Sequence, residues 1–400
     1  MKEPFLSAIP VLKRLEDAGY EAYFVGGSVR DYLLNKTISD VDIATSATPE
    51  EVKEIFPKTV DIGIEHGTVL VLVNQQSYEI TTFRTEGEYQ DYRRPKEVSF
   101  IRNLNEDLQR RDFTMNAIAM DRDGTLIDPF NGQLAIRENV IRTVGSANNR
   151  FQEDALRMMR AVRFVSQLSF SIEEETRHAL AELVPLLQNI AVERKRAEFE
   201  KLLVGKNCNK AIEILLETNI FSFLPGLADQ KKLIEKLVDF DCDGLTKKEM
   251  WSLLLFCLSV KGKAIETFLR DWRLPMKEIK DIQQILFFVE KRLEQEWSVY
   301  DLYSAGSDTI TSTEKLYNKI NGLNGSESLQ YWLNLYQKLP IKQLSSLAVT
   351  GSDLMEWFNQ QGGPWVKETL LKIEQAVINE TVENDKKTIK EWLKRCQKLE

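Results

Sequence analysis

A glycine-rich segment near the N-terminus has the residue types of a phosphate-binding turn. It is VGGSVRD, residues 25–31, in which an apolar run is followed by two glycines, a serine and an arginine. Because Gly26 and Gly27 have no Cβ, the backbone can approach a phosphate closely, and a helix beginning there directs N–H groups at it. The motif predicts phosphate binding by Gly27 and Arg30. An ordinary strand-to-helix turn has the same pattern and is the alternative.

Two aspartates follow in the segment SDVDI, at Asp40 and Asp42. Alternate residues of a strand share a face, so both carboxylates would lie together while Val41 and Ile43 point into the core. Oxygen ligands of this kind suit Mg²⁺, and phosphoryl transfer with two metal ions uses such a pair. A solvated edge strand is the alternative. Glu79, which begins another predicted strand, is a further candidate for the same site.

Adjacent arginines begin a third motif, RRDFTMNA, at residues 110–117. A guanidinium can donate two parallel hydrogen bonds to a phosphate, so Arg111 is predicted to bind a triphosphate. Asp112 is predicted to orient that arginine, and Asn116 to close a turn through its side chain. The alternative is a solvated edge of the fold.

A carboxylate and a guanidinium lie three residues apart, at Asp154 and Arg157, on a helix predicted over 153–168. Residues at this spacing are neighbours on a helix surface. A carboxylate only accepts hydrogen bonds and a guanidinium only donates them, so the pair matches the amino donor and ring-nitrogen acceptor that cytosine and adenine share. Guanine and uracil present the opposite pattern. Taken alone, a salt bridge within the helix is the simpler interpretation.

Two further arginines, Arg160 and Arg163, continue this spacing along the predicted helix. Arginines in one stripe repel each other unless an anion lies over them, so the spacing favours binding of an anion. Pairing with acids distant in sequence is the alternative. The segment 193–200 mixes charges at helical spacing and is predicted to form a salt-bridged face that positions the helix of Asp154.

The predicted secondary structure that positions these motifs changes along the chain, from mixed strands and helices to helices. Up to about residue 138, short runs rich in Val, Ile and Thr alternate with helical spacing, and an Asp-Gly pair at 123–124 predicts a hairpin. Later segments have helical apolar spacing to the C-terminus. The charged segment 86–96 is predicted to be a mobile loop. The predicted fold class is α+β, with a small α/β head containing a mixed or antiparallel sheet, followed by helices.

Composition excludes several classes of protein. The chain has 400 residues, of which 43% are hydrophobic and 28% charged, as in soluble globular proteins of more than one domain. Four scattered cysteines and two histidines predict no disulfide framework, zinc site or Ser/His/Asp triad. We expect a cytoplasmic protein without a signal peptide or membrane span. A net charge of -8 permits local basic patches, such as 386–400, but not a wholly basic surface.

Together, the motifs resemble those of the class II CCA-adding tRNA nucleotidyltransferases, whose head is shared by bacterial poly(A) polymerases. Their order and spacing carry the resemblance, which is strong over about the first 205 residues. It includes DPFNG at 128–132, EDALR at 153–157, ERKRAEF at 193–199, VTGSDL at 349–354 and GGPWV at 362–366.

The resemblance implies template-independent addition of CCA to tRNA, in which the tRNA 3′-hydroxyl attacks the α-phosphate of CTP or ATP and pyrophosphate is released. The implied site consists of Asp40 and Asp42 for catalysis and Mg²⁺, Gly27, Arg30 and Arg111 for the triphosphate, Asp154 and Arg157 for the base, and Arg160 and Arg163 for the nucleotide. The implied domains are a head at 1–138, a base-selecting neck at 139–205, and a tRNA-binding body at 206–300 and tail at 301–400.

Other functions fit the same motifs. They are a partial enzyme that adds only A or only CC, a bacterial poly(A) polymerase, and, from a different class, a non-catalytic RNA-binding module. The segment 86–96, which similar enzymes adding only CC tend to lack, favours addition of the terminal A. The intact pair of aspartates argues against the non-catalytic module. The sequence leaves the oligomeric state open, with a homodimer as one option.

Overall fold

A computed structural model of the chain describes residues 1–87, 89–90, 94–95, 98–323 and 325–396. The chain divides into two compact units, one formed by Met1–Val238 with Asp271–Arg273, and the other by Asp239–Arg270 with Leu274–Glu400. Within the described ranges, every helix is too short or too polar to cross a lipid bilayer.

The first unit contains the predicted sheet. The strands of the described residues are β1 (Ala22–Val25), β2 (Asp42–Thr45), β3 (Thr59–Gly63), β4 (Thr68–Val73), β5 (Gln76–Thr82), β6 (Arg84–Glu86), β7 (Tyr89–Gln90), β8 (Arg94–Pro95), β9 (Val98–Phe100), β10 (Ala119–Met120), β11 (Leu126–Ile127), β12 (Val140–Ile141) and β13 (Ser171–Ile172). Seven of them form one sheet in the order β11-β10-β1-β2-β5-β4-β3. Only β2 and β5 are parallel neighbours within this sheet, so it is mixed, as predicted.

Helices occur in both units of the chain. Those of the first unit are α1 (Phe5–Asp17), α2 (Gly27–Leu33), α3 (Pro49–Ile55), α4 (Leu104–Gln109), α5 (Gly132–Glu138), α6 (Ala147–Glu153), α7 (Leu156–Leu168), α8 (Glu174–Leu183), α9 (Val192–Leu203), α10 (Cys208–Glu217) and α11 (Lys231–Glu235). The later helices form most of the second unit and are α12 (Lys247–Cys257), α13 (Lys263–Asp271), α14 (Met276–Glu294), α15 (Val299–Ile320), α16 (Ser326–Lys338), α17 (Gly351–Phe358), α18 (Pro364–Ile378) and α19 (Lys386–Cys396). The α+β fold class predicted from the sequence is confirmed.

The central strands bury apolar side chains on both faces of the sheet, and the second face, which carries Asp42, also buries Val25 and Ala44. Phe24, Ile43 and Ile80 are fully buried on the first face, and the ring centroid of Phe5 in α1 lies 4.8 Å from that of Phe24. Since side chains alternate along a strand, Asp42 points from the opposite face to Ile43. The hydrophobic pattern of β2 therefore fixes the direction of this carboxylate.

Two local predictions were wrong, and β3 was not predicted. No strands were expected after about residue 140, whereas β12 and β13 form a short parallel pair. The helix predicted over 153–168 is interrupted at Asp154, whose φ of -134° and ψ of 103° are extended. Its carboxylate accepts the N–H of Leu156 at 3.1 Å. Such a side-chain bond competes with helical hydrogen bonding, which explains the break between α6 and α7.

The segment predicted to be a mobile loop, 86–96, lies partly outside the described residues. Its described part is organised as strands, because β6 pairs with β9 and β7 pairs with β8, both antiparallel. The backbone N–H of Arg84, at the start of β6, donates to the buried carboxylate of Asp107 at 3.3 Å. This hydrogen bond attaches the start of β6 to α4.

The second unit is helical and has its own apolar clusters. One cluster includes Phe288 and Trp297, whose ring centroids lie 5.2 Å apart, and another surrounds Ile373 in α18. Glu314 is fully buried and accepts hydrogen bonds from Arg292 and from the indole of Trp297, each at 2.7 Å. The buried charge is thus compensated by direct partners, as its burial requires.

Gly132 is the first residue of α5, where the backbone packs tightly against the segment that contains Thr114 and Ile118. A Cβ at this position would lie 2.2 Å from the carbonyl oxygen of Thr114. We expect Gly132→Ala to lower the free energy of unfolding by roughly 3 kcal/mol, because the backbone must move to admit the methyl group. Urea unfolding measures the change. Gly63→Ala is the control, since its Cβ would have its nearest neighbour at 3.8 Å, and equal stability of the two variants would contradict the prediction.

Candidate functional site

One cavity in the first unit brings together nine of the residues predicted to act. Its volume is about 880 Å³. The predicted site residues that line it are Gly27, Arg30, Asp40, Asp42, Arg111, Asp154, Arg157, Arg160 and Arg163. Other charged residues of the lining are Asp31, Arg84, Arg110, Asp112, Arg194, Glu198 and Lys201. Such an arginine-rich lining with a separate carboxylate pair suits a polyanion bound together with a metal ion.

The glycine-rich turn forms one wall of this cavity. β1 ends at Val25, α2 begins at Gly27, and Gly26 between them has a φ of +72°, which favours glycine. The hydroxyl of Ser28 donates to the carbonyl of Val25 at 2.9 Å and so stabilises the turn. First-turn N–H groups have no acceptor within their own helix, so α2 presents donors at the cavity wall.

Arg30 is held beside this turn by two acceptors. Its Nη1 donates to Oδ1 of Asn116 at 2.7 Å, and its Nε and Nη2 donate to Asp31 at 2.9 and 2.8 Å. The amide nitrogen of Asn116 in turn donates to Asp112 at 3.0 Å. The side chain of Asn116 therefore closes the turn from Asp112 to Asn116, as predicted, and also links this turn to Arg30.

The two aspartates face the same cavity but do not share a strand. Asp42 is the first residue of β2, whereas the exposed Asp40 lies in the segment before the strand, contrary to prediction. Glu79 is the register partner of Asp42 across the parallel pair of β2 and β5. Withdrawal from bulk water raises the pKa of Asp42, Arg111 lowers it, and the charges of Glu79 and Asp40 raise it further.

This donor set fits a divalent cation. Asp40 and Asp42 supply the hard oxygen atoms that Mg²⁺ prefers, and a cation between them would relieve their mutual repulsion. In the part of the chain that the structure describes, no group of three or more His, Cys, Asp or Glu side chains could hold a metal ion. The candidate metal site is therefore a carboxylate pair at the wall of the cavity.

Arg111 is oriented by a residue that the sequence analysis did not select. Asp107 is 1% exposed and accepts hydrogen bonds from Arg111 at 3.2 Å and from Arg110 at 2.8 Å. Burial acts to raise the pKa of Asp107, but Arg111 and Arg110 together bring it below its ordinary value. The prediction that Asp112 orients Arg111 was wrong, because Asp107 occupies that role.

Asp112 pairs with Arg160 instead. Nε and Nη2 of Arg160 both donate to Oδ2 of Asp112, at 2.8 and 2.6 Å. Burial acts to raise the pKa of Asp112, but Arg160 and the amide of Asn116 hold it well below its usual range. Arg163 forms an ion pair with Glu198 at 2.7 Å. Both arginines thus have acidic partners distant in sequence, the alternative that their spacing left open, while they also line the cavity.

An aromatic ring lies among these guanidiniums. Phe164 is buried, and the guanidinium carbons of Arg163, Arg30 and Arg160 lie 4.1, 5.1 and 5.6 Å from its ring centroid. The face of an aromatic ring attracts cations, which partly compensates their repulsion. Burial lowers the pKa of Arg163 to about 10. The ring therefore helps to keep three like charges at one edge of the cavity.

Asp154 and Arg157 do not share a helix, which corrects the prediction made from their spacing. The carboxylate of Asp154 accepts from Nη2 and Nη1 of Arg194, in α9, at 2.7 and 3.3 Å. Arg157 donates to Glu153 at 2.6 Å and to the backbone carbonyl of Arg110 at 3.1 Å. The prediction that the segment 193–200 forms a salt-bridged face next to Asp154 is confirmed.

Comparisons with known proteins agree with this geometry. A family model described as the poly A polymerase head domain matches residues 22–142, one for the probable RNA- and SrmB-binding site of polymerase A matches 169–231, and one for domain 2 of tRNA nucleotidyltransferases matches 245–393. The chain is 50% identical over 395 residues to a CCA-adding enzyme of Listeria monocytogenes serotype 4a (strain HCC23), covering 98% of this chain and 99% of that one.

Two further similarities extend over the whole chain. A CCA-adding enzyme of Geobacillus sp. (strain WCH70) is 49% identical over 395 residues, which cover 98% of this chain and 97% of that protein. The solved structure of the Bacillus stearothermophilus CCA-adding enzyme in complex with CTP superposes with a TM-score of 0.91 at 45% identity. That alignment covers 100% of this chain and 99% of the solved one.

Proposed function

Because this chain belongs to the family of the CCA-adding enzymes, we propose that it adds C, C and A to the 3′ end of tRNA from CTP and ATP without a template. The observation that supports this most directly is the cavity in which a carboxylate pair, a glycine-rich turn and an arginine-rich wall meet. The chain is a nucleotidyltransferase whose partners are CTP, ATP and tRNA.

The triphosphate would bind along the wall formed by the glycine-rich turn and Arg111. N–H groups at the start of α2, near Gly27, and the guanidiniums of Arg30 and Arg111 would contact its oxygen atoms. The 3′-hydroxyl of the tRNA gives up its proton to water and its oxygen forms a bond to the α-phosphorus, while the bond from that phosphorus to the bridging oxygen breaks. Pyrophosphate leaves, and the arginines compensate the charge that develops on it.

Asp40 and Asp42 would hold Mg²⁺, which when bound polarises phosphate oxygens and lowers the pKa of the attacking hydroxyl. The protein fixes this position by placing Asp42 at the start of β2, beside the turn that carries Gly26 and Gly27. Arg111 and Asp42 both lie next to Gly26, since a Cβ there would be 3.0 Å from Nη1 of Arg111 and 3.7 Å from Oδ2 of Asp42. The metal ligands and the phosphate ligands therefore belong to one charge-compensated site.

Base selection would rest on Asp154 and Arg157. The carboxylate accepts the exocyclic amino group of cytosine or adenine, and the guanidinium donates to the neighbouring ring nitrogen. Guanine and uracil would set a carbonyl against the carboxylate and a ring N–H against the guanidinium, which leaves polar groups unpaired. Arg160 and Arg163 would contribute positive charge beside the bound nucleotide.

The helical remainder would bind tRNA. We assign catalysis to a head at 1–138, base selection to a neck at 139–205, and tRNA binding to 206–300 and 301–400. The match of residues 245–393 to domain 2 of tRNA nucleotidyltransferases supports the last two assignments. Basic residues in the last turn of α19, Lys394 and Arg395, suit contacts to phosphates rather than to bases.

Nucleotide addition to three tRNAs tests this function. The tRNAs end at the discriminator base, at C, and at CC, and each is incubated with Mg²⁺ and CTP, ATP or both. We expect all three to grow to one product of CCA length when both nucleotides are present. Addition of A to the CC-ended tRNA alone would identify a partial enzyme. Long A tails on any RNA would identify a poly(A) polymerase, and either result would contradict the proposal.

A further inference from the structure

Arg194 contacts the candidate base-selecting carboxylate from a different helix. Its Nη2 lies 2.7 Å from Oδ2 of Asp154 and its Nη1 lies 3.3 Å from Oδ1, so the two planar groups meet as a fork. Arg194 belongs to α9, whereas Asp154 lies in the extended link between α6 and α7. The contact therefore links α9 to a residue that lies outside any helix.

A second donor binds the same carboxylate. The backbone N–H of Leu156, the first residue of α7, donates to Oδ1 of Asp154 at 3.1 Å. Because Oδ1 then accepts from Leu156 and from Arg194, both of its lone-pair directions are used. Oδ2 accepts from Arg194, and among the residues that the structure describes no other donor to it is found.

The remaining lone pair on Oδ2 of Asp154 affects which bases can bind. Oδ2 can accept one further hydrogen bond, and a single amino N–H is what cytosine and adenine offer at the edge proposed to face Asp154. Uracil and guanine offer a carbonyl oxygen there, which a carboxylate held in this orientation repels. If Asp154 were free to rotate, water or a different rotamer could relieve that repulsion.

We infer that Arg194 is a positioning residue for nucleotide selection, which orients Asp154 so that one acceptor on Oδ2 faces the base. The inference rests on the proposed function, in which Asp154 contacts the base. Arg194 lines the cavity, and 29% of its side chain is exposed. Its removal would leave the fold of α9 in place while freeing the carboxylate.

Discrimination between nucleotides tests the inference in the full-length enzyme. The ratio of kcat/KM for CTP to that for UTP is measured on a tRNA lacking CCA, and the ratio for ATP to that for GTP on a tRNA ending in CC. We expect Arg194→Ala to lower both ratios about tenfold or more, since the site can then accommodate the wrong hydrogen-bonding pattern. Arg194→Lys should give an intermediate loss, because an ammonium retains the charge but not the planar fork.

Arg196→Ala is the matched control on the same helix. The guanidinium of Arg196 is directed at the backbone carbonyl of Arg273 and at Glu200, and it does not line the cavity. Its side chain is 24% exposed, close to the value for Arg194, so a general effect of loosening α9 would appear in both variants. We expect this control to keep both discrimination ratios within about twofold of the unaltered enzyme, as is usual for a substitution away from the site.

Asp154→Asn separates failure of this inference from failure of the proposed function. An amide can donate as well as accept, so this variant should lose discrimination at least as strongly as Arg194→Ala. Unchanged ratios in Asp154→Asn would overturn the proposed base contact. Lost discrimination in Asp154→Asn, with unchanged ratios in Arg194→Ala, would overturn the role of Arg194 alone. An equal loss in Arg194→Ala and Arg196→Ala would also overturn it.

Discussion

Asp42→Asn is expected to reduce nucleotide addition about a thousandfold or more while tRNA binding is retained. The change keeps the size of the side chain but removes one of the two charges that would hold Mg²⁺. A metal ion contributes several kcal/mol of charge stabilisation in the transition state, and each 1.36 kcal/mol is a factor of ten in rate. Single-turnover addition of C to a tRNA lacking CCA measures the effect, and a gel shift with the same tRNA measures binding.

Asp61→Asn provides the control for Asp42→Asn within the same sheet. Asp61 lies on β3, is half exposed and pairs with Lys53 at 2.9 Å, outside the cavity. Its neutralisation should leave the rate within about twofold, as is usual for an exposed ion pair. Wild-type activity in Asp42→Asn would show that the metal ligands lie elsewhere. Loss of tRNA binding in that variant would point to a misfolded head rather than a missing metal ligand.

The outline of the fold and the membership of the site could be predicted because both depend on local patterns. The short apolar run of β1 and the helical spacing after residue 140 are properties of short segments. The motifs at 25–31, 39–43 and 110–117 combine residue types whose chemistry is the same in any fold. The antiparallel pairing of β1 with β2, in which Val25 is the register partner of Asp42, brings the first two motifs together.

The pairing of charges could not be predicted because it depends on distances in three dimensions. Asp112 pairs with Arg160 and Asp154 with Arg194, which in sequence are 48 and 40 residues away, respectively. Sequence shows that the site has several arginines and acids but not which of them meet. Local spacing was misleading for Asp154, since its side chain bonds to the backbone and ends the helix that the spacing predicted.

Two residues that the sequence analysis did not select differ in how easily they could have been found. Asp107 stands three and four residues before Arg110 and Arg111, and this spacing alone predicts contact on a helix. Phe164 is a mixed case, because Arg160 stands four residues before it on α7 and this spacing also predicts contact. Its contact with Arg30 joins α7 to α2 and could be seen only in the structure.

Arg111→Ala is expected to lower kcat/KM for both CTP and ATP by about a hundredfold to a thousandfold. Hydrogen bonds from a charged donor contribute about 1.5 to 3 kcal/mol each, and a guanidinium can make two to a triphosphate. Arg111 is placed for this role, since Asp107 orients it and its Nη1 lies 3.0 Å from where a Cβ of Gly26 would be. Steady-state addition with each nucleotide on tRNAs of matching length measures the loss.

Gly26→Ala tests the proposed contact between Arg111 and the triphosphate by changing the glycine next to Arg111. The added methyl group would press on the guanidinium of Arg111, and the φ of +72° at this position already disfavours any side chain. We therefore expect a loss in kcat/KM of the same direction, together with a moderate loss of stability. Arg102→Ala is the control, since Arg102 is exposed and pairs with Glu51 outside the cavity. If Arg111→Ala behaved like this control, the triphosphate would have to be bound without Arg111, and Arg30 with the helix N-terminus would be its remaining ligands.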